Sequence, residues 1–271
     1  MNCKNCLSED LTVLDRKPEY SLIRCNSCFF FFKDVRETNY ESLTEKNYIV
    51  YNFDRYKEAI EISKIIKKFF KKDSVSILEI GSGTSSLLSC LQIFGYDVTG
   101  VEPSKVAVQL SKKVFPNIEV INDYFRANLI TKEVDVILLY DVIEHLEPSN
   151  KLFEEIYDFM TPNVLLLVKS GNPLSFNARL GFSHWQYVLI DQHISFYSEK
   201  ALKRFCELKN LRLLKYLKFR HAYGGYHFLK ILKNFIKFTL MKLHIDSFLS
   251  RDFTIELAND HFIAVIKKNI L

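Results

Sequence analysis

Hydrophobic and polar positions between residues 74 and 168 follow a pattern typical of alternating strands and helices. Five short apolar runs predict buried strands, at 75–80, 98–101, 118–121, 134–140 and 164–168. Amphipathic stretches between them predict helices, at 84–94, 104–115 and 151–160. This succession is typical of βαβ units and of a parallel sheet with helices on both faces. Ligands in such folds bind beyond the carboxyl ends of the strands, so we expect the functional residues there.

The chain on either side of this pattern predicts further elements of the same α/β domain, which we place at residues 54–271. A helix is expected from residue 54, and a second helix at 198–208. Strands are expected at 211–219 and 261–267. Before this domain, the polar and Tyr-rich residues 34–53 predict a connecting segment with weak structure.

An insertion at about 220–260 interrupts the predicted strands near the C-terminus. Its stretch 227–243 is apolar, with four lysines interleaved, at Lys230, Lys233, Lys237 and Lys242. We expect this stretch to pack in the core or across a homodimer, and a lid is one alternative. The other alternative is peripheral docking on an anionic membrane surface, for which a basic amphipathic helix is suited.

Composition and charge narrow the class of protein. The 271 residues are 48% hydrophobic and 25% charged, which is ordinary for a globular protein and excludes a disordered or collagen-like chain. The net charge of +5 arises in the C-terminal third, since the first 198 residues are slightly acidic. No signal-peptide pattern occurs, and no apolar run reaches the about 18 residues of a membrane span. We therefore expect a cytoplasmic protein, at the inner membrane surface if residues 227–243 dock there.

Four of the six cysteines lie in the first 28 residues. They form two pairs with two residues between the partners, Cys3 with Cys6 and Cys25 with Cys28. Two such pairs at this separation supply four thiolates to a tetrahedral structural Zn²⁺. We therefore predict a zinc ribbon over residues 1–33, whose metal folds a segment too small to bury its own core. A degenerate ribbon without metal is the alternative.

Glycine and acidic residues follow the first three predicted strands. Gly81 and Gly83 allow a backbone to approach a ligand closely, but position 86 is Ser, so the dinucleotide fingerprint is incomplete. Glu79 precedes this turn, where a carboxylate favours a cationic ligand over a phosphate. Glu102, at the end of the second strand, is placed to accept hydrogen bonds from ribose hydroxyls, and Asp123 fits an acceptor for an adenine amine. A surface turn is the alternative for Asp123.

Four successive segments, LEIGSGTSS, VTGVEPS, INDYF and VDVILLYDVIEHLEPS, together resemble the motifs of class I S-adenosylmethionine-dependent methyltransferases. The resemblance implies a Rossmann-like, seven-stranded mixed sheet whose last strand, at 261–267, is antiparallel. It also implies that S-adenosylmethionine is the cofactor, with Glu79 shaping the glycine turn. The residues expected to contact the cofactor are Gly81, Gly83, Glu102, Asp123 and Asp141. One departure is Ser85, which stands where the motif commonly has a third glycine.

The ribbon followed by this domain is similar to bacterial methyltransferases associated with sugar and surface-polysaccharide synthesis. The resemblance implies a small sugar-like or polysaccharide-precursor acceptor. Sugar C-methyltransferases of that kind have a further C-terminal domain, which this chain is too short to hold, so we expect O-methylation. Two other functions remain open. One is an RNA methyltransferase with the ribbon as its substrate module, although acidic and basic residues cancel over residues 1–32. The other is a catalytically silent, cofactor-binding partner subunit.

The fourth strand leads to Asp141, Glu144 and His145, and His193 follows in the long segment after the fifth strand. A hydroxyl acceptor benefits from a base that takes its proton, and a histidine with a pKa near neutrality suits that role. We therefore name His145 or His193 as the candidate general base. A second hypothesis is that Asp141, Glu144, His145 and His193 bind a divalent cation, since their spacing resembles the metal site of some methyltransferases. Structural roles for these residues are the third alternative.

Overall fold

The computed structural model describes residues 1–35, 55–219 and 260–269. The strands, in chain order, are β1 (Leu11–Arg16), β2 (Tyr20–Cys25), β3 (Phe30–Val35), β4 (Ser76–Ile80), β5 (Asp97–Val101), β6 (Glu119–Ile121), β7 (Val136–Tyr140), β8 (Leu165–Gly171), β9 (Ser195–Tyr197), β10 (Leu211–Phe219) and β11 (His261–Lys268). The α-helices are α1 (Arg55–Phe69), α2 (Ser86–Ile93), α3 (Lys105–Val114), α4 (Leu152–Phe159), α5 (Phe176–Leu180), α6 (Gln186–Leu189) and α7 (Glu199–Leu208).

Seven strands form one mixed sheet in the order β10-β11-β8-β7-β4-β5-β6. The five strands β8, β7, β4, β5 and β6, which are neighbours in that order, run parallel to one another. Strand β11 is antiparallel to both of its neighbours, because Ala264 pairs with Val168 on one side and with Tyr216 on the other. The predicted α/β class, the seven-stranded Rossmann-like sheet and its antiparallel last strand are therefore confirmed.

The two faces of this sheet bury separate apolar cores. Along β7, Ile137 and Leu139 face one core, and Val136 and Leu138 face the other. The first core includes side chains of α4 and α7, and the second includes side chains of α1 and α2. Because both faces are covered, the parallel strands are apolar without alternation, which explains why the sequence pattern identified them.

A second, four-stranded sheet has the order β1-β2-β3-β9, and all its pairs are antiparallel. Its first three strands belong to the cysteine-rich N-terminal residues, whereas β9 belongs to the α/β region. Phe30 pairs with Tyr197, and Phe32 pairs with Ser195. The four-cysteine unit, which we define as residues 1–35, therefore shares a hydrogen-bonded sheet with the α/β domain. Strand β3 extends to Val35, two residues beyond the predicted end of the ribbon.

Several predicted features lie outside the described residues. These are the connecting segment after Val35 and the insertion, including residues 227–243 with their predicted dimer or membrane contacts. Within the described ranges, no helix has the combination of length and apolar character that a membrane crossing requires.

Candidate active site

The turn after β4 brings a glycine-rich backbone next to a buried carboxylate. Gly81 and Gly83 have positive φ angles of 76° and 53°. A Cβ atom added to Gly81 would lie 2.7 Å from Val142 Cγ2, so the close packing of this turn requires glycine. Glu102, at the end of β5, accepts hydrogen bonds from the backbone N–H groups of Gly83 and Ser104, both at 2.8 Å. The predicted cofactor residues Gly81, Gly83 and Glu102 are therefore brought together.

Ser85, the residue that departs from the methyltransferase motif, keeps the backbone conformation that glycine favours. Its φ angle is 61°, in the left-handed region. Its side chain is fully buried and accepts a hydrogen bond of 2.8 Å from the Ser111 hydroxyl on α3. The extra hydroxyl is thus bound to a neighbouring helix, and the turn keeps its shape without a third glycine.

Glu79, on β4 just before the glycine turn, is a buried carboxyl with an open hydrogen-bonding position. Its side chain is almost fully buried, and Oε2 has no hydrogen-bond partner among the described residues. Burial raises the pKa of Glu79 to about 8. A buried carboxyl with an unpaired oxygen fits a ligand that carries positive charge or a hydrogen-bond donor. The predicted cationic cofactor has this chemistry.

Asp123 lies at the exposed rim, after β6. Its carboxylate forms an ion pair with Arg126, and it also accepts the backbone N–H of Tyr124 at 2.8 Å. More than a third of the side chain is exposed. Both carboxylate oxygens have partners within its own turn, and Asp123 is more exposed than the acids Glu79 and Glu102. The neighbouring Asn122 donates to the carbonyl oxygen of Glu102 at 2.9 Å, so this turn adjoins the end of β5.

Asp141 belongs to a cluster of four charged side chains, which we call the ion-pair cluster. Lys169 Nζ lies 2.9 Å from Asp141 Oδ2 and 2.8 Å from Glu58 Oε1. Arg55 Nη1 lies 2.7 Å from Glu58 Oε2 and 3.2 Å from Asp141 Oδ2. Burial alone would raise the pKa of Asp141, but Lys169 and Arg55 hold it well below its ordinary value. Asp141 is therefore an ionised carboxylate with two cationic partners.

Glu144 belongs to a different cluster, which we call the hydroxyl cluster. The Tyr187 hydroxyl donates to Glu144 Oε1, and the Ser170 hydroxyl donates to Oε2 at 2.9 Å. Glu144 is fully buried, and burial, with the nearby charge of Asp141, raises its pKa. The Tyr187 ring packs against the bare backbone of Gly171, where an added Cβ would lie 2.4 Å from the ring. Gly171 therefore allows Tyr187 to reach Glu144.

The two candidate bases lie beside the hydroxyl cluster, with their rings in contact. The ring centroids of His145 and His193 are 4.7 Å apart. His193 Nδ1 lies 2.9 Å from the carbonyl oxygen of Tyr187, and His145 Nδ1 lies 3.2 Å from that of Gln192. A carbonyl oxygen only accepts hydrogen bonds, so Nδ1 carries a proton in both rings, and Nε2 holds the lone pair in the neutral tautomer of each. Burial, together with His145, lowers the pKa of His193 to about 3.

The hypothesis of a divalent-cation site requires one correction. Glu144, His145 and His193 each offer a ligand atom, and these atoms lie within 4.8 Å of one another. Asp141 stands outside this group, because its carboxylate is bound by Lys169 and Arg55. The predicted set of four is therefore reduced to three.

The four cysteines of the N-terminal unit have the geometry of a metal-binding cluster. Their sulfur atoms lie within 4.8 Å of one another, with Cys3 and Cys28 3.7 Å apart and Cys6 and Cys25 3.6 Å apart. A tetrahedral Zn²⁺ with Zn–S bonds of about 2.3 Å requires sulfur separations of about 3.8 Å. The hydrogen bond from Cys28 lowers the pKa of Cys3 to about 5, although burial opposes this effect. The residues present therefore fit a Zn²⁺ ion.

Sequence reasoning did not assign roles to Lys169, Tyr187 or Ser170. Lys169 had a detectable signal, since a single lysine in the apolar strand β8 requires an acidic partner when it is buried. Gly171 was a weaker signal, because glycine within a strand often marks a close approach. The partner Arg55 had no signal of this kind, since it lies 86 residues before Asp141 in the chain.

Comparisons with known proteins agree with this fold. A family model described as a methyltransferase domain matches residues 53–216. An uncharacterized methyltransferase of Alkaliphilus oremlandii (strain OhILAs) is 31% identical over 99 residues, which are 36% of this chain and 45% of that protein. The chain spans about half the length of the curated relatives it matches.

Two solved structures illustrate the structural likeness. A SAM-dependent methyltransferase from Archaeoglobus fulgidus has 19% identity and a TM-score of 0.50, with 79% of this chain and 94% of that chain covered. The plantazolicin methyltransferase BpumL, in complex with a monoazolic desmethylPZN analog and SAH, has 18% identity and a TM-score of 0.54, with 83% and 88% covered. At these identities the likeness establishes the fold, and the family model covers more than half of the chain. The protein belongs to the methyltransferase domain family.

Proposed function

We propose that the protein transfers a methyl group from S-adenosylmethionine to a hydroxyl group of a small sugar-like or polysaccharide-precursor acceptor. When bound, S-adenosylmethionine supplies an electrophilic methyl group on a sulfonium cation. The backbone of Gly81 and Gly83 would hold it closely, Glu102 would accept its ribose hydroxyls, and Glu79 would face its positive charge. This assignment is supported by the unpaired oxygen of Glu79 and by the close backbone packing of the glycine turn.

The observation that carries the acceptor side of the proposal is the contact between His193 and the hydroxyl cluster. His193 is neutral at neutral pH, and its Nε2 lone pair is available because Nδ1 donates to Tyr187. Tyr187 in turn binds Glu144, so the imidazole is held by a residue of the same buried cluster. These residues follow β7 and β8, at the sheet edge where ligands bind in α/β folds. The pKa of about 3 is below the near-neutral value that we expected of a general base, so His193 is a weak base before the reaction. It is our candidate to accept a hydrogen bond from the acceptor hydroxyl and to take its proton as the methyl group is transferred, when that proton becomes strongly acidic.

A divalent cation at Glu144, His145 and His193 is the second candidate for that step. Both histidines donate Nδ1–H to a backbone carbonyl, which is the arrangement that orients metal-binding imidazoles. A cation there would lower the pKa of the acceptor hydroxyl in place of a histidine base. Loss of turnover on mild chelation, with the metal content of the four cysteines unchanged, would support this version. Full turnover after such chelation would leave His193 as the base.

Methyl-labelled S-adenosylmethionine tests the proposal directly. The protein is incubated separately with nucleotide sugars, glycan phosphates and RNA, and the label in each pool is measured. We expect label in a sugar-containing pool, and we expect Glu102→Gln to weaken cofactor binding at the same time. Label in RNA alone would favour the zinc-ribbon RNA methyltransferase. Cofactor binding without transfer to any pool would favour a silent partner subunit.

A further inference from the structure

Lys33, on β3 of the four-cysteine unit, is a buried cation with defined contacts. Its side chain is 2% exposed, and Nζ lies 4.7 Å from the centroid of the Tyr20 ring. Burial lowers the pKa of Lys33 to about 8, and the charge of Asp191 opposes this effect. A buried ammonium group requires hydrogen-bond acceptors, and Lys33 finds its acceptor in the α/β domain rather than in its own unit.

Lys33 binds the backbone on both sides of His193. Its Nζ donates to the carbonyl oxygen of Ile190 at 2.8 Å, and its backbone N–H donates to that of Ile194 at 2.9 Å. His193 lies between these two acceptors, and its own backbone N–H donates to Ile190 at 3.1 Å. The N–H of Ile194 then donates to the carbonyl of Glu144 at 2.7 Å. One residue of the N-terminal unit thus holds the segment that joins His193 to Glu144.

The four thiols lie at the opposite end of the same strands. Cys25 is the last residue of β2, and the N–H of Phe29, just before β3, donates to its carbonyl at 3.0 Å. Leu22 on β2 pairs with Lys33 on β3. The Asn5 side chain connects the cysteine loops to α7, since its Nδ2 lies 2.9 Å from the carbonyl of Ala201. A metal bound by Cys25 and Cys28 would therefore constrain the turn between β2 and β3, the two strands whose pairing positions Lys33.

We propose that the four-cysteine unit, through Lys33, positions His193 in the acceptor site, so that filling the thiolate cluster with metal controls acceptor chemistry and leaves cofactor binding unchanged. Lys33 is a positioning residue in this proposal. The inference rests on the proposed function, because it assigns His193 to the acceptor side of a methyl transfer.

The four-cysteine unit is expected to affect acceptor chemistry and not cofactor binding because of where its contacts with the α/β domain lie. Lys33 contacts Ile190 and Ile194, Asn5 contacts Ala201, and Lys4 lies 2.7 Å from Glu147. All of these acceptors follow β7 in the chain. Of the predicted cofactor residues, Glu79, Gly81, Gly83, Glu102 and Asp123 precede it. Asp141 directly follows β7, but its partners are Lys169 and Arg55 and not residues of the four-cysteine unit. A disturbance carried by these contacts would therefore reach the acceptor side first.

Lys33→Met in the full-length protein tests the proposal, because methionine keeps the apolar stem and removes the donor. We expect amide hydrogen exchange at residues 190–195 to accelerate and kcat to fall about tenfold, since small displacements of catalytic groups reduce turnover strongly. The dissociation constant of S-adenosylhomocysteine should change less than about twofold. Lys33→Arg, which restores a donor, should recover part of kcat. The matched control is Lys17→Met, which removes a lysine that pairs with Asp15 in its own unit.

Removal of metal from the thiolate cluster by a strong chelator should reproduce the exchange and kcat effects of Lys33→Met. Unchanged exchange at residues 190–195 in both experiments would overturn the inference. Loss of S-adenosylhomocysteine binding together with turnover would also overturn it, because the unit would then support the whole domain. If the wild-type protein methylates no acceptor, the proposed function fails, and the exchange rates alone decide whether the unit positions His193.

Discussion

The ion-pair cluster and the hydroxyl cluster contain two carboxyl groups that lie three residues apart, Asp141 and Glu144, and bind them in opposite ways. Asp141 is bound by Lys169 and Arg55, and these cations hold its pKa far below the ordinary value. Glu144 is bound by the hydroxyl groups of Tyr187 and Ser170, and burial raises its pKa. Burial is common to both, so the partners determine the direction in which each pKa moves.

Because one cluster has cationic partners and the other has hydroxyl partners, we expect the two clusters to have different roles. Asp141 has a φ angle of 58°, a strained value for a residue with a side chain, and its ion pairs offset that cost. Two cations and two carboxylates fix α1 to β7 and β8, and all four keep their charges over the neutral range. The hydroxyl cluster, in contrast, binds Glu144 through two uncharged donors, the hydroxyl groups of Tyr187 and Ser170, and lies beside His193. We therefore expect the first cluster to govern stability and the second to govern chemistry.

Removal of Lys169, which contacts both carboxylates of the ion-pair cluster, should produce the largest loss in the free energy of unfolding. Lys169→Met leaves Glu58 and Asp141 with Arg55 as their remaining cation, and breaking a buried ion pair in this way costs about 3–5 kcal/mol. Urea denaturation at pH 7 measures the change in the free energy of unfolding. The control Lys64→Met removes an exposed lysine that pairs with Glu61 on the same helix α1, and it should cost less than about 1 kcal/mol. Equal losses for the two variants would remove the structural role of the ion-pair cluster.

Glu79 differs from both Asp141 and Glu144, because its Oε2 atom has neither a cationic nor a hydroxyl partner among the described residues. It therefore tests the effect of burial on the pKa of a carboxyl group without such a partner. Its pKa in the folded protein is about 8, above the ordinary value of 4.5, so the folded state holds a proton that the unfolded chain has lost between these pH values. Its contribution to stability is therefore complete below pH 4.5 and is lost as the pH rises towards 8. Glu79→Gln should become more stable than the wild type by on the order of 4 kcal/mol at pH 8, and by little at pH 4.5. Denaturation curves across this range, in the absence of cofactor, measure the difference, and a constant difference would contradict the prediction.

The sequence predicted those parts of the molecule that local patterns encode. The strands of the parallel sheet are apolar runs, and Gly81, Gly83 and Glu102 directly follow two of them, so strand order alone brings them together. The contacts of Asp141 were not predictable in this way, because Arg55 and Lys169 come from distant elements. The predicted helix at 84–94 begins two residues later, at Ser86, because Ser85 is in the left-handed conformation and cannot continue a helix.

The pairing of the four-cysteine unit with β9, next to His193, could also not be predicted from the sequence. Cysteine spacing predicts a metal cluster, but it contains no information about which strand pairs with β3. Strand β9 has only three residues, Ser195 to Tyr197, too few for its pairing partner to be read from their pattern. The side chains of Phe30 and Phe32 are fully buried, as expected for an apolar strand, yet only the structure shows that Tyr197 packs against Phe30.

Isosteric neutralisation of the two carboxylates tests the comparison most closely, with the smaller effect expected at Glu144. Glu144→Gln removes a charge that burial disfavours and keeps a side-chain carbonyl oxygen as a hydrogen-bond acceptor, so the free energy of unfolding should change by about 1 kcal/mol or less. Asp141→Asn should cost more, because Lys169 and Arg55 would keep Glu58 as their remaining anion, while asparagine tolerates the same positive φ angle. Urea denaturation of both variants at pH 7 provides the measurement. A loss at Glu144 as large as that at Asp141 would mean that Glu144 is also a charged, structural carboxylate, and the division between the two clusters would fail.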